Sequence, residues 1–319
     1  MHLSPRVQGR LLIVSASVLW SLSGLFVRLL RHPSSGSWAE PPVPPLLIAF
    51  YRCLFASLAL APALRLGDIR WHPLLIAMTI SFATMNALFV SALSLGSAAN
   101  AIILQYTAPF WLYVAAAVFL GERPSQREIL ALTLALSGVG VIVASGLSNL
   151  YLDPSSLVAT IVALGSGLAY AGVVFCLRLL RDYSSFWLTW LNHAAAALTL
   201  LPVLSFYQQP HLAQLIILFA FGTIQMAIPY WLVSRGLKTV PSQEAGMLTL
   251  VEPLLNPLWV YLFFHEIPEQ PTIWGGALIF LALVWQFWPV SSKATPPAQT
   301  NLDSAAPANE ARNPPENLT

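Results

Sequence analysis

The stretch TAPFWLYVAAAVFLGERPS at residues 107–125 has a counterpart in VEPLLNPLWVYLFFHE at residues 251–266. A shift of 144 residues aligns the two stretches without a gap, and the alignment continues upstream of them. The residues that coincide include Pro109 with Pro253, Glu122 with Glu266, and Ala92-Leu93 with Gly236-Leu237. These matches indicate that the chain contains an internal repeat.

Apolar residues dominate the whole chain. Of its 319 residues, 57% are hydrophobic and 9% are charged, whereas soluble globular domains have roughly 45–50% and 25%. A water-soluble fold of this length could not bury so much apolar surface, so the expected solvent is the lipid bilayer. The 11 Trp, 9 Tyr and 16 Phe residues suit the two membrane interfaces. The cysteines, Cys53 and Cys176, lie in apolar stretches without paired spacing and suggest neither a disulfide framework nor a metal site.

Apolar stretches bounded by charges, prolines and polar clusters predict ten transmembrane helices, because a helix needs about 20 apolar residues to cross the hydrocarbon core. The predicted helices lie at residues 11–30, 46–65, 73–93, 98–120, 127–146, 156–178, 185–206, 212–233, 244–264 and 270–289. The first is too long for a signal peptide and lacks a small-residue cleavage site, so we expect it to be retained. The segment RHPSSGSWAEPPVPP at residues 31–45 has five prolines and is predicted to be an external loop.

The distribution of Lys and Arg predicts the orientation, since cations are retained on the cytoplasmic side. With the N-terminus inside, the outer segments hold only Arg28 and Arg31. The inner segments hold Arg6, Arg10, Arg65, Arg70, Arg123, Arg127, Arg178, Arg181, Arg235, Lys238 and Lys293. Both termini are therefore predicted to be cytoplasmic, and this requires an even number of helices.

The repeat extends beyond the two matching stretches. A shift of 150 residues aligns Trp20 with Tyr170 and Arg28 with Arg178, and a shift of 140 aligns Pro62 with Pro202 and Arg52 with Asn192. We predict an all-α polytopic membrane protein whose ten transmembrane helices form two inverted five-helix repeats. Its expected parts are a cytoplasmic N-terminus (1–10), a first repeat (11–146), a second repeat (147–290) and a tail (291–319), which is predicted to be disordered and cytoplasmic because it has few apolar residues.

The sequence resembles the EamA-type family of the drug/metabolite transporter superfamily over nearly all of residues 11–289. Four stretches carry the resemblance: VLWSLSGLFVRLL, FYRCLFASLALAPAL, TAPFWLYVAAAVFLGERPS and VEPLLNPLWVYLFFHE. The chain departs from the family's pattern at His265, where a glycine usually precedes the residue equivalent to Glu266. The resemblance implies ten helices with both ends inside, a substrate cavity between the halves, and export or uptake of amino acids or other small metabolites.

Two ionisable residues, Arg52 and Glu252, lie well inside predicted helices, where charged groups normally face a cavity or a partner. At 1.5 Å per residue, their depths differ by about 9 Å, so we expect them to act separately rather than as a salt bridge. Arg52 either binds a substrate carboxylate or holds helix-end carbonyls. Glu252 either contacts a substrate amine or a proton, or is a protonated packing group.

Further polar and aromatic side chains within the predicted helices are candidates for lining the cavity, although hydrogen bonding between helices and simple packing are alternative roles. These candidates are Trp20, Asn86, Gln105, Tyr106, Tyr170, Asn192, His193, Gln225, Tyr230 and Asn256. Pro253 and Pro257 are expected to kink the ninth helix near Glu252, since each removes a backbone donor. Small residues at four-residue spacing are interpreted as close-packing faces: Ala163, Gly167 and Ala171 in the sixth helix, and Gly140 and Ala144 in the fifth.

Other functional classes find little support in the sequence. The chain lacks the GxxxxGK[ST] motif of a phosphate-binding loop, and His265-Glu266 has no second His to complete HExxH. The sequence shows no ring of charged residues of the kind that forms the selectivity filter of an ion channel. We expect a secondary transporter in the inner membrane that exports small organic metabolites such as amino acids by alternating access, with carriers of nucleotide sugars or other organic ions as alternatives. No cofactor, metal or nucleic acid is expected. The expected partners are a small-molecule substrate, the lipid bilayer and, in one alternative, a second copy of the chain.

Overall fold

The computed structural model describes residues 4–121, 126–148, 154–240 and 248–287, and all regular secondary structure in these ranges is helical. The α-helices, numbered α1 to α13, are Pro5–Trp20, Ser23–Arg31, Pro45–Leu60, Leu74–Leu95, Ala98–Gln105, Ala108–Leu120, Gln126–Ser148, Pro154–Leu179, Ser185–Leu200, Leu212–Ala220, Ile228–Gly236, Val251–Phe264 and Gln270–Phe287. A π-helical segment, Phe221–Ala227, joins α10 to α11. The predicted tail, residues 291–319, lies outside the described residues.

Seven helical stretches are long and apolar enough to cross a membrane: Pro5–Arg31, Pro45–Ala63, Leu74–Leu95, Ala98–Phe119, Ser155–Leu179, Ser185–Ser205 and Leu212–Gly236. Three shorter apolar helices, Ile129–Ser145, Val251–Phe264 and Gln270–Trp285, fall within the remaining three predicted segments. The all-helical membrane architecture is therefore confirmed. The count of ten spans and the inverted relation of the halves stay predictions.

The outer faces of the helices are apolar. Large hydrophobic side chains such as Leu198, Val118 and Phe219 are more than half exposed. The interior holds smaller and polar groups as well, including Ser17, Asn86 and Asn256. Exposed aliphatic faces of this extent would be costly in water, and lipid is the solvent that suits them.

The described helices pack in pairs that follow the sequence repeat. Helix α4, in the third predicted span, packs along α8 in the sixth, and α11 in the eighth span packs against α1 in the first. Helix α3 packs against α9, and α7 packs along α13. Each pair joins one half of the sequence to the other, so the bundle is held together across the halves.

Glycine lets α7 and α13 approach closely. A Cβ atom added to Gly138 would lie 2.5 Å from the Gly275 carbonyl oxygen, and one added to Gly275 would lie 2.6 Å from the Gly138 oxygen. The close-packing face expected at Gly140 is wrong, because nothing lies within 4 Å of a Cβ added there. At Gly167 the expectation is confirmed: an added Cβ would lie 2.8 Å from Thr107 Oγ1.

The fourth and ninth predicted spans are interrupted at equivalent places. Helix α5 ends before Tyr106, and α12 begins at Val251 after a turn at Leu250, which is 144 residues later. Proline has no backbone N–H, so Pro253 cannot donate to the carbonyl four residues earlier. The ninth predicted span, expected to be kinked near Glu252, is interrupted there: a turn at Leu250 precedes Pro253 in the first turn of α12, and Pro257 lies inside that helix.

Both spans consist of helical parts that meet at a break rather than one continuous rod. Broken helices of this kind expose backbone groups inside a membrane protein, where they must find other partners.

A left-handed residue follows both α6 and α12. Gly121 has φ 66° and His265 has φ 55°, and the repeat aligns these two residues. The left-handed turn that Gly121 forms in the first half is thus formed by His265 in the second half. A residue with a Cβ is strained in this conformation.

One ion pair stands directly beside this turn. Arg28 Nε lies 2.7 Å from Glu266 Oε2, and the two side chains are 14% and 24% exposed. The guanidinium also donates to the carbonyls of Leu93 at 3.3 Å and Gly96 at 2.8 Å. Glu266 Oε1 accepts from the Ala98 N–H at 3.2 Å. The pair therefore connects the ends of α2, α4 and α12 with the start of α5.

Candidate functional site

Arg52 lies in the middle of α3 and is 2% exposed. Its Nε donates to Asn86 Oδ1 at 2.6 Å, and the amide of Asn86 donates in turn to the Ala49 carbonyl at 3.0 Å. The guanidinium carbon lies 5.8 Å from the ring centre of Phe89 and 5.3 Å from that of Phe221. Arg52 is thus held by a side-chain amide and two aromatic faces, and not by helix-end carbonyls.

One donor of Arg52 has no partner. Nη1 is buried and makes no hydrogen bond with any described residue. The described part of the chain also places no carboxylate within 4 Å of the guanidinium. A buried charge without a counter-ion is costly, so this guanidinium is suited to binding an anionic group that enters the bundle.

Glu252 lies at the helix break described above. The Tyr106 hydroxyl donates to Glu252 Oε2 at 2.8 Å and lies 3.2 Å from the Thr249 carbonyl oxygen. Thr249 lies four residues before Pro253, which has no N–H to donate to its carbonyl. The breaks in the two spans therefore meet, and they place a phenol, a carboxylate and a backbone carbonyl side by side.

A cluster of aromatic side chains connects the first and eighth predicted spans to the seventh. The rings of Trp20 and Tyr230 are 5.3 Å apart and nearly perpendicular, and the Tyr230 ring is also 5.3 Å from the His193 ring. Phe82 contacts the other side of His193 at 4.9 Å. Gln225 Nε2 donates to the Trp20 carbonyl at 3.0 Å. Trp20, Tyr230 and Gln225, all predicted site residues, are thus brought together.

The remaining predicted residues have different surroundings. Asn256 is fully buried and donates to Ser23 Oγ at 2.7 Å, which fixes α12 against α2. Gln105 is nearly buried, and its amide lies 3.4 Å from Met85 Sδ. Tyr170 is 39% exposed. Asn192 is buried, with Oδ1 lacking a partner among the described residues. Asn256 and Gln105 therefore have the helix-packing contacts that were the alternative to lining a cavity.

The two charged residues do not form a salt bridge. Arg52 and Glu252 each have a different neutral partner, Asn86 and Tyr106, as the estimated depth difference predicts. Arg52 and Glu252 still interact electrostatically, and Tyr170 interacts electrostatically with Glu252 as well. The molecule therefore contains one polar region with a guanidinium, Arg52, from the first half of the sequence and a carboxylate, Glu252, from the second half.

His193, which the sequence offers with Asn192 as a polar side chain on an otherwise apolar helix, also lies in this region. It is fully buried in α9, Nδ1 lies 2.8 Å from the Thr189 carbonyl oxygen, and Nε2 has no partner among the described residues. Within the described residues, no group of three His, Cys, Asp or Glu side chains could hold a metal ion.

A bundle with apolar outer faces and buried charged groups defines a multi-pass integral membrane protein with an internal polar site. The chain belongs to the EamA-like transporter family, whose pattern matches residues 7–144 and again residues 157–288. The resemblance inferred from the sequence is confirmed, and two copies of the family's repeat are present. The family consists of transporters, and this chain is accordingly a membrane transporter.

Similar proteins cover most of the chain. An uncharacterized transporter of Archaeoglobus fulgidus is 28% identical over 86% of this chain and 95% of its own length. The pseudopaline exporter CntI of Pseudomonas aeruginosa is 24% identical over 86% of this chain and 94% of its own. YicL, an uncharacterized inner membrane transporter of Salmonella typhimurium, is 25% identical over 87% and 94%. A solved crystal structure with 18% identity matches 88% of this chain and 97% of its own with a TM-score of 0.60, so the fold is shared.

Proposed function

We propose that this chain is a secondary carrier that exports small organic metabolites of the amino acid type across the inner membrane. The observation that carries the proposal is the buried Arg52, whose Nη1 has no partner in the described residues, near a separate, partly buried carboxylate, Glu252. A guanidinium can bind a carboxylate, and a carboxylate can bind an ammonium group. A site with both groups suits a zwitterion, which carries a carboxylate and an ammonium group.

Alternating access around this region is the proposed mechanism. The proposal includes ten spans in two inverted five-helix repeats, with residues 11–146 and 147–290 as the two units and both termini in the cytoplasm. Two features support it: helices that correspond under the repeat pack in equivalent pairs, and the breaks at Tyr106 and Leu250 coincide under the repeat. Discontinuous helices with substrate groups at the break are typical of such carriers.

The proposed substrate site comprises charged, polar and aromatic residues from both halves. Its charged members bind the ends of the substrate, and its aromatic members, with Trp20 and Tyr230 at the centre, surround the apolar part. The site consists of Trp20, Arg52, Asn86, Gln105, Tyr106, Tyr170, Asn192, Gln225, Tyr230, Glu252 and Asn256. For Gln105 and Asn256 the packing contacts described above favour an indirect role in shaping the site.

Export is the proposed direction. The Pseudomonas relative is named as an exporter of pseudopaline, and at 24% identity this name supports the direction of transport more than the substrate. Another relative is named as an inner membrane transporter, which supports the proposed location. The positive residues predicted on the inner side support the cytoplasmic termini.

Untargeted metabolomics of cells and medium tests the proposal. A deletion strain, the wild type and an overexpressing strain are compared, with Arg52→Gln and Glu252→Gln as further arms at equal protein level. We expect a zwitterionic metabolite to accumulate outside on overexpression and to lose that accumulation in both variants. Arg235→Gln is the matched control, because Arg235 contacts the ring of Trp231 and lies outside the proposed site. Normal export by both site variants would refute the charged-site proposal.

A further inference from the structure

His193 has the geometry of a side chain that presents one specific polar atom. It lies in α9, which packs directly against α3, the helix of Arg52. Nδ1 is 2.8 Å from the Thr189 carbonyl oxygen. A carbonyl can only accept a hydrogen bond, so Nδ1 carries the proton and donates it. In neutral imidazole the other nitrogen, Nε2, is then an acceptor.

The charged group of the proposed site lies in the same neighbourhood as this imidazole. Arg52 is on α3, which packs against α9, and its guanidinium interacts electrostatically with the imidazole. The other titratable groups in the neighbourhood are Tyr230, whose ring contacts the imidazole, and Cys53 and Glu252, which lie near the guanidinium. With Nδ1 donating to the Thr189 carbonyl, His193 presents Nε2 as an acceptor in the same region as the Arg52 guanidinium.

Two buried polar atoms of these residues lack partners. Arg52 Nη1, a donor, and His193 Nε2, an acceptor, are buried and make no hydrogen bond with the described residues. The ring contacts Phe82 and Tyr230, and turning it would break the hydrogen bond from Nδ1 to the Thr189 carbonyl. Unsatisfied buried groups are rare and point to a ligand that supplies the missing bonds.

We propose that His193 determines substrate specificity: its Nε2 accepts a hydrogen bond from an amine or hydroxyl on the carbon next to the carboxylate that Arg52 binds. This inference rests on the proposed role of Arg52. It goes further by defining the substrate class as 2-amino or 2-hydroxy acids. A simple carboxylic acid would bind Arg52 but leave Nε2 unsatisfied, and a site that hydrogen-bonds a substrate group rejects the analogue that lacks it.

A packing role alone makes a different prediction. If the ring serves only to fill the space between Phe82 and Tyr230, phenylalanine should replace it without changing which acid binds. If Nε2 binds substrate, His193→Phe keeps the aromatic contacts but loses the discrimination. Glutamine should restore part of it, because its amide oxygen can accept a hydrogen bond at a similar distance from the backbone.

The test measures equilibrium binding of two acids to the purified full chain in lipid nanodiscs by titration calorimetry. The probes are 2-hydroxy-4-methylpentanoate and 4-methylpentanoate, which differ only in the 2-hydroxyl group. A hydroxyl carries no charge, so attraction of an amine by Glu252 does not confuse the comparison. We expect the wild type to bind the hydroxy acid about ten-fold more tightly or better.

The variants decide the outcome. In His193→Phe the affinity ratio should fall to within about two-fold, and His193→Gln should recover part of it, on the scale of one hydrogen bond. Trp187→Phe, on the same helix, is the matched control and should keep the wild-type ratio, because its Nε1 already donates to the Arg70 carbonyl at 3.2 Å and lies outside the proposed site. A wild-type ratio in His193→Phe, or equal binding of both acids by the wild type, would overturn the inference while leaving Arg52 as a carboxylate site. Failure of the wild type to bind either acid would overturn the proposed role of Arg52 and this inference with it.

Discussion

The Arg28–Glu266 ion pair lends itself to a double-mutant cycle that measures how strongly it holds the helix ends together. Its closest atoms are 2.7 Å apart and its side chains are 14% and 24% exposed. Exposed pairs typically contribute about 0.2–1 kcal/mol, whereas removing one partner of a fully buried pair costs about 3–5 kcal/mol. The observed exposure places this pair between the two limits.

The expected losses follow from the partners that each variant leaves behind. Glu266→Gln leaves the guanidinium two backbone carbonyls, so we expect the free energy of unfolding to fall by about 1 kcal/mol. Arg28→Gln removes the donor to the carboxylate and the bonds to both carbonyls, so we expect a fall of about 2–3 kcal/mol. The double variant should lose less than the sum, with a coupling energy of about 1 kcal/mol.

The assay is unfolding of the purified protein in mixed micelles with increasing SDS, followed by circular dichroism. Arg235→Gln is the matched control: the guanidinium lies 4.4 Å from the Trp231 ring centre and has no carboxylate within salt-bridge distance in the described residues. We expect it to cost at most about 1 kcal/mol, as for an exposed cation–π contact. Additive single effects, with a coupling energy below about 0.3 kcal/mol, would show that the pair does not hold α2 to α12 energetically.

Further predictions concern backbone conformation, packing and the site. His265→Gly should raise the free energy of unfolding by up to about 1 kcal/mol, because glycine adopts positive φ without strain, and Gly121→Ala should lower it by about as much; both are measured by the SDS assay. Gly222→Leu should cost at least about 1–3 kcal/mol in the same assay, since even a Cβ there would lie 2.7 Å from the backbone of α3. Tyr106→Phe removes the donor to a partly buried carboxylate and should lower the export rate of the substrate in the cell assay by about ten-fold, with wild-type export contradicting the assignment.

Hydropathy predicts most helices well because a span needs a continuous apolar run. The expected range 73–93 is observed as Leu74–Leu95, and 156–178 as Pro154–Leu179. The breaks within the fourth and ninth predicted spans were harder to predict from the sequence. The proline at position 109 was visible, but a proline fits equally well in the first turn of a new helix or at a kink. Only the packed structure distinguishes the two at Tyr106.

The contacts of the site could not be predicted because they join residues far apart in sequence. Tyr106 and Glu252 are 146 positions apart, and Arg52 and Asn86 are 34 apart. Depth estimates indicated only that Arg52 and Glu252 should not pair. The residue types were predicted because polar groups are rare in apolar helices, whereas their partners depend on how helices rotate against each other.

The breaks and the buried charges have a common physical basis. A carboxylate in hydrocarbon needs donors nearby. Ending α5 before Tyr106 and starting α12 at Val251 brings the Tyr106 hydroxyl, a donor, to Glu252. Arg52 lies within continuous helix α3, and its Nη1 has no partner among the described residues. The Arg52 guanidinium is therefore the group that is stabilised most when a substrate anion binds.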